Sequence, residues 1–143
     1  MERTTCLEDY PISTVVLSNL HSISIWIIGA YILSGFGLAL AIPYVAYCLA
    51  IETSVLRNSC RNCYYYGKVC FSGRGRLCAL LFKKGDPKKF IDKEISWADI
   101  LPDLLVSIFP IVGGIVLLTI SFSWLTVALI AILLFLSFGG NAI

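Results

Sequence analysis

Four cysteines within nineteen residues are the densest chemical signal in the sequence. They follow the pattern Cys-x2-Cys-x6-Cys-x7-Cys and are Cys60, Cys63, Cys70 and Cys78. A Cys-x2-Cys pair can turn both sulfurs toward one point, and four thiolates satisfy one tetrahedral Zn²⁺. Arginine and lysine side chains between and beside the cysteines would lower the thiol pKa values and offset the charge of a zinc tetrathiolate. The spacing therefore predicts a metal site, with zinc as the metal.

The same cysteines have two other uses. An iron–sulfur cluster also takes four cysteine ligands, although the familiar ferredoxin spacings are tighter than this one. Alternatively, the thiols hold no metal and carry out thiol–disulfide or electron-transfer chemistry at the membrane. A second Cys-x2-Cys pair, which would make the zinc assignment strong, is absent. Cys6 and Cys48 lie apart from the group, and the apolar run around Cys48 indicates packing as a small hydrophobe.

Four lysines form a second group around a Gly-Asp-Pro turn. They are Lys83, Lys84, Lys88 and Lys89. Basic residues beside a membrane span attract anionic lipid headgroups, so we expect these lysines at the headgroups. Ordinary topology-setting charge explains them equally well. The aromatic residues that interleave with basic ones over 64–71 favour a membrane interface, and no nucleic-acid partner is expected.

Apart from the cysteines, the sequence contains no catalytic constellation. Catalytic triads, phosphate-binding loops and His-Glu-x-x-His motifs are missing. An enzymatic activity would therefore depend on the cysteines. A membrane enzyme acting on lipid headgroups is a further alternative, for which no acid–base pair is visible.

The segments that flank these residues are predicted to be membrane spans. Of the 143 residues, 58% are apolar and 14% are charged, and the mean hydropathy is +0.86. A soluble domain has about 45–50% apolar and about 25% charged residues. The excess lies in two blocks, each about twice the ~20 residues that one helix needs to cross a bilayer. This composition excludes a disordered chain, a nucleic-acid-binding tail and a water-soluble enzyme core.

We expect an all-α integral membrane protein with four transmembrane helices arranged as two hairpins, and a cysteine-rich basic loop between them. Turns at 34–37 and 121–123 would divide the hairpins, and Ser96 with Asp99 matches a capping box. Residues 102–138 can also be read as one span plus a re-entrant segment. The chain then consists of an N-terminal tail (1–13), the first hairpin (14–56), the loop (57–95), the second hairpin (96–139) and a C-terminal tail (140–143).

Charge is distributed unevenly along the chain. Residues 57–93 hold ten basic residues against two acidic ones, a net charge of +8, whereas the rest holds one basic residue against seven acidic ones. Basic loops stay in the cytoplasm, so we expect a multi-pass protein of the cell membrane with both termini and the loop cytoplasmic. Thiols stay reduced there, which favours metal over disulfides. The polar first ten residues predict no cleavable signal peptide.

Together these features predict a small polytopic membrane protein with a metal-stabilised cytoplasmic loop. It would act as a binding or assembly module, or as a small subunit of a membrane complex. Its partners would be the lipid bilayer, anionic headgroups, and a protein of a membrane complex or of the cytoplasm. The alternative function is that of a membrane thiol–disulfide or iron–sulfur electron-transfer protein that uses the same cysteines.

Overall fold

The computed structural model describes residues 9–92 and 96–139, and within these ranges all regular structure is helical. The predictions for Cys6, for most of the N-terminal tail and for the C-terminal tail lie outside the described residues. The elements are α1 (Ile12–Ser34), α2 (Leu38–Asn58), the 3₁₀ turn η1 (Cys60–Asn62), α3 (Arg74–Leu81), α4 (Lys88–Ile91), α5 (Trp97–Ile120) and α6 (Trp124–Gly139).

Three helices in the described part of the chain, α1, α2 and α5, are long and apolar enough to cross a membrane. They contain 23, 21 and 24 residues. At 1.5 Å per residue they extend over about 32–36 Å, compared with about 30 Å for the hydrocarbon core of a bilayer. Helix α6 is also apolar, but its 16 residues cover only about 24 Å. The described part of the chain is therefore all-helical, with three candidate membrane spans and one shorter apolar helix.

The helix boundaries follow local signals in the sequence. In the predicted turn between α1 and α2, Gly37 has a φ of +112°, a left-handed conformation that glycine adopts without steric cost. The predicted capping box is also present: Ser96 is the N-cap of α5, and its backbone N–H donates to the Asp99 carboxylate at 3.3 Å. Helix α5 begins at Trp97, directly after the Ser96 cap, and accommodates Pro102 within its second turn.

The chain divides into two compact units. We call residues 1–20 with 52–94 the loop unit, and residues 21–51 with 95–143 the helix unit. The loop unit thus includes the first turns of α1 and the last turns of α2 as well as the polar segment with the four cysteines. The hydrogen bonds that satisfy the polar groups differ between the two units.

In the helix unit, a tyrosine satisfies a carbonyl that a proline leaves without a donor. Pro110 has no N–H, so the carbonyl of Val106 lacks its usual partner four residues along α5. The buried Tyr44 hydroxyl of α2 donates to this carbonyl at 2.8 Å. Gly29 of α1 provides the space, because a Cβ at that position would collide with the Tyr44 hydroxyl. The contact matters because an unsatisfied carbonyl in hydrocarbon costs several kcal/mol.

Small residues also let α5 and α6 pack closely. A Cβ added at Gly114 would lie 2.8 Å from the Ile130 side chain, so only glycine permits this approach. The Ser137 hydroxyl donates to the Ser107 hydroxyl at 3.0 Å. Ile130 and Leu133 are buried in one apolar cluster of the helix unit. Small residues and hydroxyl bonds are typical of helix packing in membranes.

Candidate thiol site in the loop unit

All four predicted cysteines lie in the loop unit, on separate local structures. Cys60 begins η1, and Cys63 follows it. The backbone N–H of Cys63 donates to the Cys60 carbonyl at 3.3 Å, which keeps this Cys-x2-Cys pair in one turn. Cys70 lies in the loop before α3, and Cys78 lies within α3. The fold therefore collects the four cysteines in one small part of the molecule.

The thiols lie close enough to influence each other's ionisation. The pKa of Cys60 is raised to about 11, chiefly by burial and then by the negative charge that its neighbours would carry as thiolates, namely Cys70, Cys78 and Cys63. Burial likewise raises the pKa of Cys78, and the charge of Arg61 opposes this rise. Like charges raise a pKa at short range. The four thiols thus share one locality.

In contrast to Cys60 and Cys78, Cys70 has a lowered pKa. Its partial burial acts to raise the pKa, but hydrogen bonds to the sulfur outweigh burial and bring the pKa below its ordinary value. The backbone N–H of Gly75 donates to the Cys70 Sγ at 3.3 Å, and the Ser72 hydroxyl lies 3.8 Å from it. Such bonds stabilise the thiolate, which is the reactive and metal-binding form.

A buried glycine allows the backbone to approach Cys70. A side chain at Gly75 would collide with the backbone carbonyls of Tyr65 and Lys68. The Gly75 carbonyl also accepts the N–H of Gly67 at 3.0 Å, and Gly67 has a φ of +80°. These glycines therefore fold the chain tightly enough to aim an N–H group at the sulfur.

The residues before α1 lie against the loop that carries the third cysteine. The Val69 N–H donates to the Asp9 carboxylate at 2.8 Å, and the Tyr10 N–H donates to the Val69 carbonyl at 3.0 Å. On the other side of the cysteine, the Asn19 amide donates to the Ser72 carbonyl at 3.0 Å. Sequence reasoning missed these contacts, because no periodicity links residues sixty positions apart.

The aromatic residues of the loop unit pack on one another. The Tyr10 ring lies 5.8 Å from the Tyr65 ring and 6.1 Å from the Phe71 ring, measured between centroids. The Tyr66 hydroxyl donates to the Phe82 carbonyl at 2.7 Å. These rings therefore stabilise the loop around the cysteines. The interfacial position expected for residues 64–71 stays a prediction.

An ion pair joins α2 to the start of α3. The short separation of Glu52 and Arg57 in the sequence suggests a pair between them, but the partner of Glu52 is Arg74. The Arg74 Nη2 lies 2.7 Å from one carboxylate oxygen, and its Nε contacts the other, which gives a bidentate pair. The two side chains are 29% and 24% exposed. Arg57 instead lines a separate pocket, described below.

The four sulfurs do not form a metal ligand set as they stand. Within residues 9–92 and 96–139, no group of three or more His, Cys, Asp or Glu side chains is arranged to hold a metal ion. The Cys78 thiol instead donates to the Leu56 carbonyl at 3.3 Å. The four cysteines are free thiols and form no disulfide. This geometry does not support zinc, so the metal stays a prediction based on the donor set.

The four predicted lysines are all exposed. Lys83 and Lys84 lie between α3 and α4, and Lys88 and Lys89 form the first turn of α4. In the described part of the chain none of them makes a salt bridge. Their contact with lipid headgroups stays a prediction.

The chemistry of this site is that of gathered, reduced thiols. Such a group can bind a borderline metal ion, or it can exchange disulfides through its most acidic thiol. A comparison of the chain with known protein families, with curated proteins and with solved structures gives no match. The function is therefore inferred from the thiols and charges of the loop unit.

Proposed function

We propose that this is a small polytopic membrane protein with a metal-stabilised loop unit, and that it acts as a binding or assembly subunit of a membrane complex. The metal would be zinc, held by Cys60, Cys63, Cys70 and Cys78. One observation carries the proposal: three other thiols lie close enough to Cys60 to raise its pKa. A bound Zn²⁺ would replace this mutual repulsion with attraction, releasing protons as the thiolates form.

The small apolar core of the loop unit supports this proposal. Among the described residues, only Leu56 and Cys78 of this unit are buried apolar side chains. Small units with little apolar core need disulfides or a metal for stability. Because Cys60, Cys63, Cys70 and Cys78 are free thiols, we infer that a metal stabilises this unit.

We also propose four spans in two hairpins, with the loop and both termini in the cytoplasm. The net charge of +8 over residues 57–93 supports the cytoplasmic side. The bond between Asp9 and Val69 supports an N-terminal tail on the same side as the loop. The contacts of Gly114 with Ile130 and of Ser107 with Ser137 support an antiparallel α5 and α6. A helix as short as α6 spans a bilayer that thins locally.

Metal analysis with a visible spectrum of the purified full chain tests the zinc proposal. We expect zinc and a spectrum without visible absorption, whereas an iron–sulfur cluster would absorb visible light. Replacing any one of the four cysteines by Ser should remove the metal. Cys6→Ser and Cys48→Ala serve as matched controls that keep it. A wild-type protein without metal after purification without chelator would contradict the proposal.

The second candidate function is thiol–disulfide exchange, and the lowered pKa of Cys70 favours it. The Cys70 thiolate would attack a partner disulfide, form a mixed disulfide and release one partner thiolate. The Cys60 thiolate would then attack the Cys70 sulfur, which leaves a Cys60–Cys70 disulfide and releases the second partner thiol. Mass analysis after incubation with a disulfide reagent tests this. A Cys60–Cys70 disulfide, lost in Cys70→Ser, would favour exchange over metal binding.

A further inference from the structure

A polar pocket of about 230 Å³ lies in the loop unit, and no cysteine lines it. It is formed by the end of α2, by η1 and by the start of α4. Its polar lining consists of Arg57, Asn58, Arg61, Asn62, Asp86 and Lys89. At about 30 Å³ per water molecule in the liquid, this volume is that of several waters. The pocket is thus large enough for a small oxyanion.

The pocket has an excess of positive charge. Three cations, Arg57, Arg61 and Lys89, face one acid, Asp86, which leaves a net charge of +2. In the part of the chain that the structure describes, none of the three cations forms an ion pair. An oxygen of the Asp86 carboxylate accepts the backbone N–H of Lys88 at 3.0 Å. The cations are therefore available to a ligand.

The arginines are placed by a short sequence repeat. The dipeptide Arg-Asn occurs at 57–58 and again at 61–62, and residues four apart lie on one face of a helical segment. The Asn62 amide donates to the Asn58 carbonyl at 3.2 Å, which keeps helical spacing across the junction of α2 and η1. The Asn58 amide donates in turn to the Ser54 hydroxyl at 3.1 Å. The repeat therefore aims both guanidinium groups at one space.

Close backbone contact holds the second wall of the pocket in place. The Gly85 N–H donates to the Arg61 carbonyl at 3.0 Å. A Cβ at Gly85 would collide with the Asn62 side-chain amide. The segment that leads into α4 is thus seated on η1, which brings Lys89 to the two arginines. The pocket is built from two segments of the chain.

We propose that this pocket binds the phosphate group of a phosphate monoester. Guanidinium forks match phosphate oxygens in bidentate geometry, and a lysine adds a point charge. The net charge of +2 complements the charge of about −1.5 to −2 that a phosphate monoester carries at pH 7. A lipid headgroup and a soluble phosphate ester both offer this group. The site uses no cysteine, so it goes beyond the proposed metal-stabilised module and does not depend on it.

Two arms of one experiment distinguish the sources of the phosphate. The full chain is placed in phosphatidylcholine nanodiscs and titrated with inorganic phosphate by calorimetry. In the second arm, nanodiscs contain phosphatidate or phosphatidylglycerol in equal amounts, and bound lipid is counted by native mass spectrometry. Only phosphatidate carries a monoester phosphate. Preference for phosphatidate identifies a headgroup, and binding of inorganic phosphate identifies a soluble ligand; either result supports the proposal.

Variants separate the pocket from general attraction by a basic loop. Arg57→Gln and Arg61→Gln should each weaken binding by about tenfold or more, because each removes a charge-assisted hydrogen bond. Arg61→Lys keeps the charge but loses the fork, so it should also weaken binding. The matched control is Arg76→Gln, an equal loss of charge at an exposed residue of α3 outside the pocket.

Circular dichroism of every variant should equal that of the wild type, and so should the metal content of Arg57→Gln, because Arg61 acts on the Cys78 thiol and Arg57 does not. This check separates failure of the phosphate site from failure of the cysteine site. If neither inorganic phosphate nor phosphatidate binds more tightly than phosphatidylglycerol, the proposal is overturned. An equal loss of binding in Arg76→Gln would also overturn it, because the attraction would then be diffuse.

Discussion

Different interactions stabilise the interior of each of the two units. Within residues 9–92 and 96–139, the buried hydrophobic core has eight residues in the helix unit and two in the loop unit. The helix unit depends on small residues that allow close packing and on a hydroxyl that satisfies a proline-disrupted carbonyl. The loop unit depends on backbone bonds across its turns, one bidentate ion pair and the bond of the Cys78 thiol to the Leu56 carbonyl. We therefore expect chelators and thiol reagents to disrupt the loop unit. Substitutions that change side-chain volume should instead disrupt the helix unit.

The largest expected effect is removal of the proposed metal. Chelation, or Cys78→Ser, should make residues 57–92 protease-sensitive, with cleavage faster by on the order of 100-fold, because structural zinc contributes many kcal/mol to folding. Limited proteolysis with mass analysis measures this. Helices α1, α2 and α5 should stay protected in the same digest. A loop that resists protease equally with and without chelator would show that the two units do not differ in this way.

The next effect is a difference in reactivity between two thiols of the metal-free protein. The pKa of Cys70 lies below its ordinary value and that of Cys60 is about 11. Only the thiolate reacts, so at pH 8 Cys70 should be alkylated about 100-fold faster than Cys60. Alkylation of Cys70 should extend to lower pH than that of Cys60, which should become fast only as the pH approaches 11. Peptide mapping after timed alkylation measures both rates. Equal rates at pH 8 would contradict this assignment.

In the helix unit, Tyr44→Phe should destabilise the protein by about 1–3 kcal/mol, because it leaves the Val106 carbonyl without a donor. Gly29→Ala should destabilise it through a collision with the Tyr44 hydroxyl. Thermal unfolding in detergent measures both. Gly139→Ala is the control, since its Cβ would meet only ordinary contacts at 3.6 Å or more. Chelator should not change the difference between Tyr44→Phe and wild type.

A smaller effect is expected for the ion pair of the loop unit. A double-mutant cycle with Glu52→Gln and Arg74→Gln should give a coupling of about 0.5–1 kcal/mol, limited by the solvent that reaches both side chains. The same cycle with Arg57→Gln in place of Arg74→Gln should give no coupling. Coupling of Glu52 to Arg57 instead would restore the pairing that the sequence suggested.

The smallest single effects are expected for the proposed lipid contacts. Each of Lys83, Lys84, Lys88 and Lys89 should contribute up to about 1 kcal/mol to binding anionic lipid. Retention of phosphatidylglycerol by the full chain should fall with each change to Gln, and added salt should weaken it further. Retention that salt does not change would show that these lysines do not act through charge.

Local signals in the sequence predicted much of the helical framework. The contacts between residues far apart in the sequence could not be predicted from it. Gly37 and Ser96 marked a turn and a helix start because these residues act within a few positions of themselves. The pair of Glu52 with Arg74 and the bond of Tyr44 to Val106 join residues 22 and 62 positions apart. Such partners depend on how helices pack, which spacing does not encode.

The cysteine spacing indicated the local part of the candidate site but not its long-range part. The Cys-x2-Cys pair forms a local turn, in which the Cys63 N–H donates to the Cys60 carbonyl. The backbone N–H that bonds the third thiol, Cys70, belongs to Gly75. The need for glycine at this position follows from the nearby Tyr65 carbonyl, a long-range contact that the sequence does not reveal. Donor types and spacing therefore identified the candidate ligands, but not how their sulfurs are directed, and their sharing of one metal ion stays a prediction.

The contact of Asp9 with Val69 has a consequence for biosynthesis. Its partners lie sixty residues apart, so the bond cannot form until the ribosome has made both helices between them. Closing so long a loop is entropically costly unless α1 and α2 are already in place. The loop unit would therefore be completed after membrane insertion of this part of the chain. Until then the four thiols would stay accessible, which leaves time for the proposed metal ion to bind them.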